Sequence, residues 1–346
     1  MSSRDYCLIT VLLTTFGLTG VACLNWVVDP FGQYGTGVLP VIVQASRTQK
    51  LDLMEGLECV PPGLILGSSR MLKFEPNYLQ RKLGVTFFNA AVNHGRPADY
   101  LAMVRWYHER WNVYPKIVIL GVDSAALNKI VPLDARIATE DRLAKVVPEC
   151  ISLNDSLAKY RELIGFKQMS SSLRSIRAIV KNRHESEPIE FYKPDGLLVY
   201  RQREEEISNG NYDFQVALKY NEQEFENVYR AFDEFSEKEV SHLVKVVRDL
   251  REHGSQVYLF VTPFHPELRA TLSNLSHFEA RESEAHELLK LLSKHHGAYV
   301  SDCRDIASYK GDPTEFVDGI HPLETNTRLI IDRLLPTRGD TRYAIQ

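Results

Sequence analysis

The chain has 346 residues, of which 44% are hydrophobic and 25% are charged, so it is long enough to bury one large core. Its formal net charge of -4 excludes the strongly basic surface that a nucleic-acid backbone requires, and we expect no nucleic-acid partner. The five cysteines form no CxxC pair and lie near no histidine at zinc-ligand spacing, so we expect no metal site. Nothing in the sequence indicates a cofactor.

The first apolar segment, residues 6–28, contains no charged side chain. It is long enough to cross the hydrocarbon core of a membrane, which needs about 20 apolar residues. A cleaved signal peptide is the alternative, because its apolar centre is shorter and small residues such as Gly20 and Ala22 precede the cleavage site. The apolar run continues through Trp26 and Val28, which favours an uncleaved anchor.

The charges that flank this segment predict its orientation. Arg4 precedes the span and Asp29 follows it, so we expect residues 1–5 to form a cytoplasmic tail and residues 6–28 to be a single transmembrane anchor. Residues 29–60 then form a juxtamembrane linker that begins with a turn-rich DPFG segment. The span is expected to lie in the cytoplasmic (inner) membrane. All residues after it are expected to lie on the periplasmic or extracellular side of that membrane.

Residues 61–346 are predicted to form one domain in which strands and helices alternate. Apolar runs predict strands at 64–67, 85–89, 117–121, 257–261 and 299–302. Helical spacing predicts helices at 76–83, 98–111, 237–253, 279–296 and 324–335. This alternation predicts an α/β fold, a flavodoxin-like three-layer sandwich with a central parallel sheet of about five strands. The pattern weakens between about 125 and 235, which we interpret as an insertion that can cap a site.

Three of the five cysteines, Cys59, Cys150 and Cys303, lie outside the apolar segment, so at most one internal disulfide can form among them. The sequence does not decide whether it does.

The turn Gly67-Ser68-Ser69-Arg70 follows the first predicted strand. A strand that turns sharply into a helix presents its serine at the carboxyl edge of the sheet, where open α/β folds bind ligands. Ser69 is therefore a candidate nucleophile. The alternative is that Ser68 and Ser69 cap a helix that begins near Phe74 or Pro76.

A second motif, Asp318-Gly319-Ile320-His321-Pro322, lies after the last predicted strand. A carboxylate three residues from a histidine can hold the imidazole in the tautomer that accepts a proton from serine. The sequence thus supplies a candidate triad of Ser69 as nucleophile, His321 as general base and acid, and Asp318 as orienting carboxylate.

With these motifs the sequence resembles the SGNH, or GDSL-like, hydrolase superfamily, whose first block is a Gly-X-Ser turn and whose last is a DxxH. Its second block, an Asn and a Gly after strand two, corresponds to the stretch 89–95, so the resemblance implies Asn93 and the backbone of Gly95 as candidate oxyanion donors. The third block has Asp123 where the family usually has an asparagine. Because an ionised carboxylate donates no hydrogen bond, either Asn93 and backbone groups form the oxyanion hole, or Asp123 holds a loop or a substrate hydroxyl.

Arg70 directly follows the candidate nucleophile. It either attracts an anionic substrate or pairs with a carboxylate and braces the turn.

The apolar segment, the DPFG segment and the LGSSR turn together resemble the membrane-anchored branch of this superfamily, which assists O-acetylation of exported polysaccharides and D-alanylation of teichoic acids. The resemblance implies acyl transfer to a hydroxyl of an exported polysaccharide through an acyl-Ser69 intermediate. It implies an acyl donor and a multispanning membrane acyltransferase as partners. Two alternatives stay open: a periplasmic carbohydrate esterase of the same fold, or a catalytically silent glycan-binding or scaffold protein that helps a membrane acyltransferase.

Overall fold

A computed structural model of the protein describes residues 2–30, 34–36, 38–39, 46–131, 136–152, 157, 160–181 and 190–335. The described strands are β1 (Gly63–Leu66), β2 (Phe87–Asn89), β3 (Ile117–Val122), β4 (Glu190–Tyr192), β5 (Leu198–Tyr200), β6 (Gln256–Val261) and β7 (Tyr299–Val300). The described α-helices are α1 (Ser3–Val28), α2 (Ser46–Glu55), α3 (Pro76–Leu83), α4 (Pro97–Trp111), α5 (Arg136–Thr139), α6 (Asp141–Val146), α7 (Phe166–Lys181), α8 (Arg201–Ser208), α9 (Phe214–Arg230), α10 (Glu237–Glu252), α11 (Pro266–Leu272), α12 (Phe278–His296) and α13 (Glu324–Leu334). Short 3-10 helices cover Ser69–Met71, Ser124–Leu127, Pro148–Cys150 and Ile306–Tyr309.

The central sheet contains five parallel strands in the order β2-β1-β3-β6-β7. From β1 the chain first adds β2 on one side and then β3, β6 and β7 on the other, as in flavodoxin-like folds. Because the strands are parallel, all five carboxyl ends lie at one edge of the sheet. The predicted α/β fold class and its parallel central sheet are confirmed.

Side chains of the central strands alternate between two apolar layers. In β1, Leu64 and Leu66 pack on the side of α4, α10 and α12, whereas Ile65 packs on the opposite side with α3 and α13. β3 and β6 alternate in the same way, and their residues are almost completely buried. Because both faces of these strands are covered, their sequences are nearly continuous apolar runs.

Two strands are two residues shorter than predicted, whereas β1, β3 and β6 differ from their predicted ranges by at most one residue at each end. β2 begins at Phe87 rather than at residue 85, because Gly84 ends α3 with a φ of 75° and residue 85 is still part of the bend that follows the helix. β7 has only two residues, although the Ser301 N–H still donates to Leu259 of β6 at 3.1 Å. All five predicted strands are nevertheless present in the central sheet.

The segment predicted as an insertion, 125–235, contributes the antiparallel β4–β5 hairpin and helix α9. The hairpin turn lies beside β2, where the Asn89 N–H donates to the Asp195 carbonyl at 2.8 Å. Helix α9 packs against α11, and its Phe225 and Tyr229 share an apolar cluster with Ile320 of the DxxH loop. The segment thus packs onto the carboxyl edge of the sheet. Its residues 132–135, 153–156, 158–159 and 182–189 lie outside the described residues.

Helix α2 lies within the range predicted as a juxtamembrane linker. Its Leu51 and Met54 are completely buried in the core, and the Arg47 guanidinium forms a buried ion pair with Asp99 of α4 at 2.7 Å. This part of the range therefore packs with the domain. The linker residues 31–33, 37 and 40–45 lie outside the described residues, as do the domain's final residues 336–346.

Helix α1 is long and apolar enough to span a membrane. It has 26 residues and a length of about 39 Å, compared with about 30 Å for a hydrocarbon core. The Ser2 hydroxyl and the Asp5 carboxylate cap its amino terminus, and Asp29 ends it in the left-handed conformation with a φ of 41°. It starts three residues before the predicted span at 6–28 and ends with it.

Candidate active site

The candidate nucleophile turn, Gly67-Ser68-Ser69-Arg70, follows β1 at the carboxyl edge of the sheet. Gly67 has a φ of 146°, and a Cβ at this position would lie 2.3 Å from Met71 Cγ and 2.9 Å from the Gly121 carbonyl oxygen. Only glycine fits both this backbone conformation and this space. The chain can therefore leave β1 sharply and begin the 3-10 helix Ser69–Met71 at once.

The two serines of the turn point in different directions. The buried Ser68 hydroxyl accepts a hydrogen bond from the Arg70 N–H at 3.2 Å and caps the 3-10 helix. The Ser69 hydroxyl lies 2.9 Å from Nε2 of His321. Helix α3 begins at Pro76 with Glu75 as its N-cap residue, so neither serine caps that helix.

The imidazole of His321 lies between Ser69 and Asp318. Its Nδ1 lies 2.8 Å from Oδ2 and 3.0 Å from Oδ1 of Asp318. Because a carboxylate only accepts hydrogen bonds, this contact places the imidazole proton on Nδ1 and leaves Nε2 to accept the Ser69 hydroxyl proton. The arrangement has the connectivity of a serine-hydrolase triad.

Backbone groups hold the Asp318 carboxylate in place. Its Oδ1 accepts hydrogen bonds from the N–H groups of Ile320 and His321, both at 2.9 Å. Burial acts to raise the pKa of Asp318, but the charge of His321 and the hydrogen bonds from His321 and Ile320 outweigh it, so the pKa lies below its ordinary value of 3.8. Asp318 is thus kept ionised against the imidazole.

The DxxH loop is held by elements on both sides. Asn221 of α9 accepts a hydrogen bond from the Gly319 N–H at 2.9 Å, and the His265 N–H donates to the Gly319 carbonyl at 2.9 Å. A Cβ at Gly319 would lie 2.6 Å from Leu268 Cδ2 of α11. The insertion and the segment after β6 therefore both fix the position of His321.

The side chain of Asn89 holds the segment that follows Ser69. At the end of β2, its buried amide donates to the carbonyls of Met71 at 2.8 Å and Phe74 at 2.9 Å, while its oxygen accepts from the Ala91 N–H at 3.1 Å. One side chain thus provides hydrogen-bond partners for buried backbone groups in two segments, the one after the GSSR turn and the one after β2. Buried backbone groups outside regular secondary structure need such partners.

Arg70, Thr262 and Asp123 form a hydrogen-bonded row at the same edge of the sheet. Arg70 Nη1 donates to the Thr262 hydroxyl at 3.0 Å, and this hydroxyl donates to Asp123 Oδ1 at 2.6 Å. Arg70 Nε lies 3.8 Å from Asp123 Oδ1. The guanidinium also stacks on Phe264, with 4.1 Å between its Cζ and the ring centroid, and Arg70 is only 3% exposed. Arg70 is therefore directed into the protein, between a carboxylate and an aromatic ring.

Ser124, the residue after Asp123, belongs to a buried polar cluster. Glu282 of α12 accepts hydrogen bonds from the Ser124 hydroxyl and from the Tyr229 hydroxyl, the second at 2.9 Å. Burial raises the pKa of Glu282 above its ordinary value, an effect that these two hydrogen bonds and the nearby Arg70 charge reduce. The cluster links helices α9 and α12 beneath the site.

The two predicted oxyanion donors lie in the loop after β2. A Cβ at Gly95 would lie 2.5 Å from the Gly67 carbonyl oxygen, so this loop runs directly against the nucleophile turn. The Gly95 N–H donates to the Val92 carbonyl at 3.1 Å, and the Asn93 N–H donates to the Ser46 hydroxyl at 2.9 Å. The roles of Asn93, Gly95 and Asp123 towards an oxyanion stay predictions.

Sequence reasoning did not find Thr262 or Asn221. Because Thr262 directly follows β6, its position in the sequence would have indicated that it lies at the carboxyl edge of the sheet. Asn221 lies in the insertion, where no motif marked it. Both side chains act through other site residues rather than through a motif of their own.

Among the described residues, no group of three or more His, Cys, Asp and Glu side chains is placed to hold a metal ion. Cys59, Cys150 and Cys303 are free thiols, and burial raises the pKa of both Cys150 and Cys303 to about 12. These two thiols are therefore protonated and weakly nucleophilic at neutral pH.

Comparison with models of known protein families and with curated protein sequences gave no match to this chain.

Proposed function

We propose that the protein is a membrane-anchored serine acyltransferase of SGNH type, which acts on hydroxyls of an exported polysaccharide through an acyl-Ser69 intermediate. The observation that carries this proposal is the continuous hydrogen-bonded chain from Ser69 Oγ through His321 to Asp318, with contacts of 2.9 Å and 2.8 Å. The resemblance of the GSSR turn and the DxxH loop to the SGNH blocks supports the same chemistry.

In the proposed first step, His321 Nε2 removes the Ser69 hydroxyl proton as Oγ attacks the carbonyl carbon of an acyl donor. The resulting tetrahedral intermediate collapses when the bond to the leaving oxygen breaks and His321 returns the proton to that oxygen. In the second step, His321 deprotonates a sugar hydroxyl, which attacks the acyl-Ser69 ester. The new ester leaves, and the proton passes to Ser69 Oγ.

The developing oxyanion needs hydrogen-bond donors. The Ser69 N–H is the first of the 3-10 helix Ser69–Met71, so it lies outside the hydrogen bonds of that helix and beside the reacting oxygen. The side chain of Asn93 is a further donor implied by the resemblance. The backbone N–H of Gly95, which the resemblance also implies, donates to the Val92 carbonyl in this structure and would have to exchange that hydrogen bond for one to the oxyanion. An ionised Asp123 contributes none.

Helix α1 supports a single-span anchor in the cytoplasmic membrane. The charges of Arg4 and Asp29 on either side of it favour a cytoplasmic amino terminus, which puts the triad on the periplasmic side. A polysaccharide exported through this membrane is then within reach of the site. A multispanning membrane acyltransferase is the proposed partner that supplies acyl groups.

The experiment compares acyl release from a model acetyl ester with and without soluble polysaccharides as acceptors. An acyltransferase gives an acetylated glycan, detected by mass spectrometry, and a faster total release when the acceptor is present. Release to water alone, unchanged by any acceptor, would identify the carbohydrate esterase instead. Absence of Ser69-dependent release from every ester would favour the catalytically silent scaffold.

The Ser69→Ala variant is the control for each measurement. Ser308→Ala is its matched partner, because Ser308 lies in the 3-10 helix Ile306–Tyr309, outside the triad, and its hydroxyl donates to the Asp305 carbonyl of the same turn at 2.6 Å. We expect this second variant to keep the activity of the unaltered protein.

A further inference from the structure

Helix α7 presents an apolar row beside the candidate membrane span. Residues Phe166, Met169, Leu173, Ile176 and Val180 recur at steps of three and four, which places them on one side of the helix. Three of them stay open to solvent, with Phe166 86%, Leu173 38% and Val180 64% exposed. A row of this kind is normally buried in a soluble protein.

A different side of α7 packs against α1. Gln168, Ser172 and Ser175 are buried there, and the two helices are in contact. The Ser172 hydroxyl donates to Asn25 Oδ1 at 2.8 Å, and Asn25 Nδ2 donates to the Leu163 carbonyl at 2.7 Å. This side lies about 100° around the helix from the apolar row. The contact with α1 therefore leaves Phe166, Leu173 and Val180 exposed, while Met169 and Ile176 are half-buried.

The contact with Asn25 indicates where α7 lies relative to the membrane. Asn25 lies three residues before Val28, the last residue of α1, and the neighbouring Trp26 is 51% exposed. A tryptophan at the end of a span sits at the level of the lipid headgroups. Helix α7 is thus held at the membrane surface on the side of the catalytic domain.

The charge of α7 has one sign. The segment 166–181 contains four basic residues, Lys167, Arg174, Arg177 and Lys181, and no acidic residue. Arg174 and Arg177 are exposed, about 120° and 60° around the helix from the centre of the apolar row and on the same flank of it. A helix with an apolar row flanked by basic side chains lies in the plane of an anionic membrane surface.

We propose that α7 is an interfacial helix whose apolar row enters the lipid headgroup region and whose arginines contact anionic phospholipids. The occupant of this surface is the outer face of the membrane that α1 spans. The helix would give the catalytic domain a second attachment point and a fixed orientation above the lipid. This inference depends on α1 as an anchor, which belongs to the proposed function, but not on the chemistry of the triad.

The experiment places an environment-sensitive fluorophore on the full-length protein in lipid vesicles. The exposed cysteines Cys7, Cys23 and Cys59 are replaced by alanine, and single labels are attached after Leu173→Cys, Phe16→Cys or Leu291→Cys substitution. Phe16 reports on α1, and Leu291 is an exposed position on α12. A lipid-borne quencher in vesicles of phosphatidylcholine, with or without phosphatidylglycerol, then measures contact with lipid.

We expect the label at position 173 to be quenched at least threefold more than the label at position 291, and more strongly when phosphatidylglycerol is present. The Arg174→Gln, Arg177→Gln double variant should lose that lipid dependence. The matched variant Arg230→Gln, Arg248→Gln, which alters exposed arginines of α9 and α10, should keep it.

Quenching at position 16 but not at position 173 would overturn the proposal while leaving the anchor intact. Absence of quenching at position 16 would overturn the anchor, and the proposal with it. Shielding of position 173 in native membranes but not in lipid vesicles would assign the surface to a protein partner and would also overturn the proposal.

Discussion

Ser69 Oγ lies 2.9 Å from His321 Nε2, although 252 positions of sequence separate the two residues. Ser69 lies in the turn after β1, and His321 lies in the loop before helix α13. The parallel sheet brings the turn and the loop to one edge, and Asn89 and Asn221 fix these two segments. The short contact is therefore a product of the topology and of two buried asparagines.

We expect Asp318→Asn to lower kcat/KM for a model acetyl ester by about 10⁴-fold, because an amide can donate to Nδ1 and so favours the wrong imidazole tautomer. Steady-state kinetics measures the effect. Asp312→Asn is the matched control, since Asp312 accepts hydrogen bonds from Thr314 at an exposed turn, and it should change the rate less than twofold. A loss below tenfold for Asp318→Asn would contradict the role of Asp318 as orienting carboxylate.

The lowered pKa of Asp318 predicts a pH dependence of stability. Since the folded protein holds this pKa below the ordinary value of 3.8, the stabilisation is fully present above that value and is lost as the pH falls through the lower folded pKa. Urea unfolding of the detergent-solubilised protein should therefore show an advantage over Asp318→Asn that is constant near neutral pH and shrinks below pH 3.8. An advantage that does not change with pH would show that the carboxylate charge contributes nothing.

Asn89→Ala should lower the free energy of unfolding by about 2 kcal/mol, because it removes the side-chain partner of the buried Phe74 carbonyl and Ala91 N–H, at about 1 kcal/mol or more each. The Met71 carbonyl keeps its hydrogen bond from the Phe74 N–H at 3.1 Å. Urea unfolding followed by tryptophan fluorescence measures the change. Asn274→Ala removes only exposed contacts at the end of α11 and should change the free energy of unfolding by less than about 0.5 kcal/mol. Equal effects of the two variants would contradict the account of the nucleophile turn.

Asp123→Asn separates the two roles open to Asp123. If its carboxylate braces Arg70 through Thr262, the variant loses about 1 kcal/mol of stability and kcat does not rise. If position 123 lines the oxyanion site, the new amide adds a donor, which is worth about 10²-fold or more in kcat. We expect the first result, because the Thr262 hydroxyl already donates to Asp123 Oδ1 at 2.6 Å.

A double-mutant cycle with Thr262→Val checks the same assignment. A coupling of about 1 kcal/mol between the two positions is expected if they act in one row with Arg70. Additive effects would contradict the row. A rise in kcat for Asp123→Asn would contradict the bracing role directly.

The fold could be predicted where burial leaves a regular pattern. β3 and β6 are covered on both faces, so their apolar runs marked them clearly, whereas the two-residue β7 was predicted too long. The triad residues lie in short motifs at strand or loop ends, which the sequence displays. The contacts that support the triad could not be predicted, because Asn221 reaches Gly319 across 98 positions and Arg70 reaches Thr262 across 192. Such contacts depend on how helices and side chains pack, not on spacing along the chain.

The most direct test of the central claim is reaction of the full-length protein with a serine-directed fluorophosphonate, followed by mass spectrometry of the labelled peptide. The account predicts one adduct on Ser69, which persists in Ser68→Ala, is lost in Ser69→Ala and forms far more slowly in His321→Ala. No adduct on the intact protein, or an adduct that survives Ser69→Ala, would contradict the assignment of Ser69 as the nucleophile.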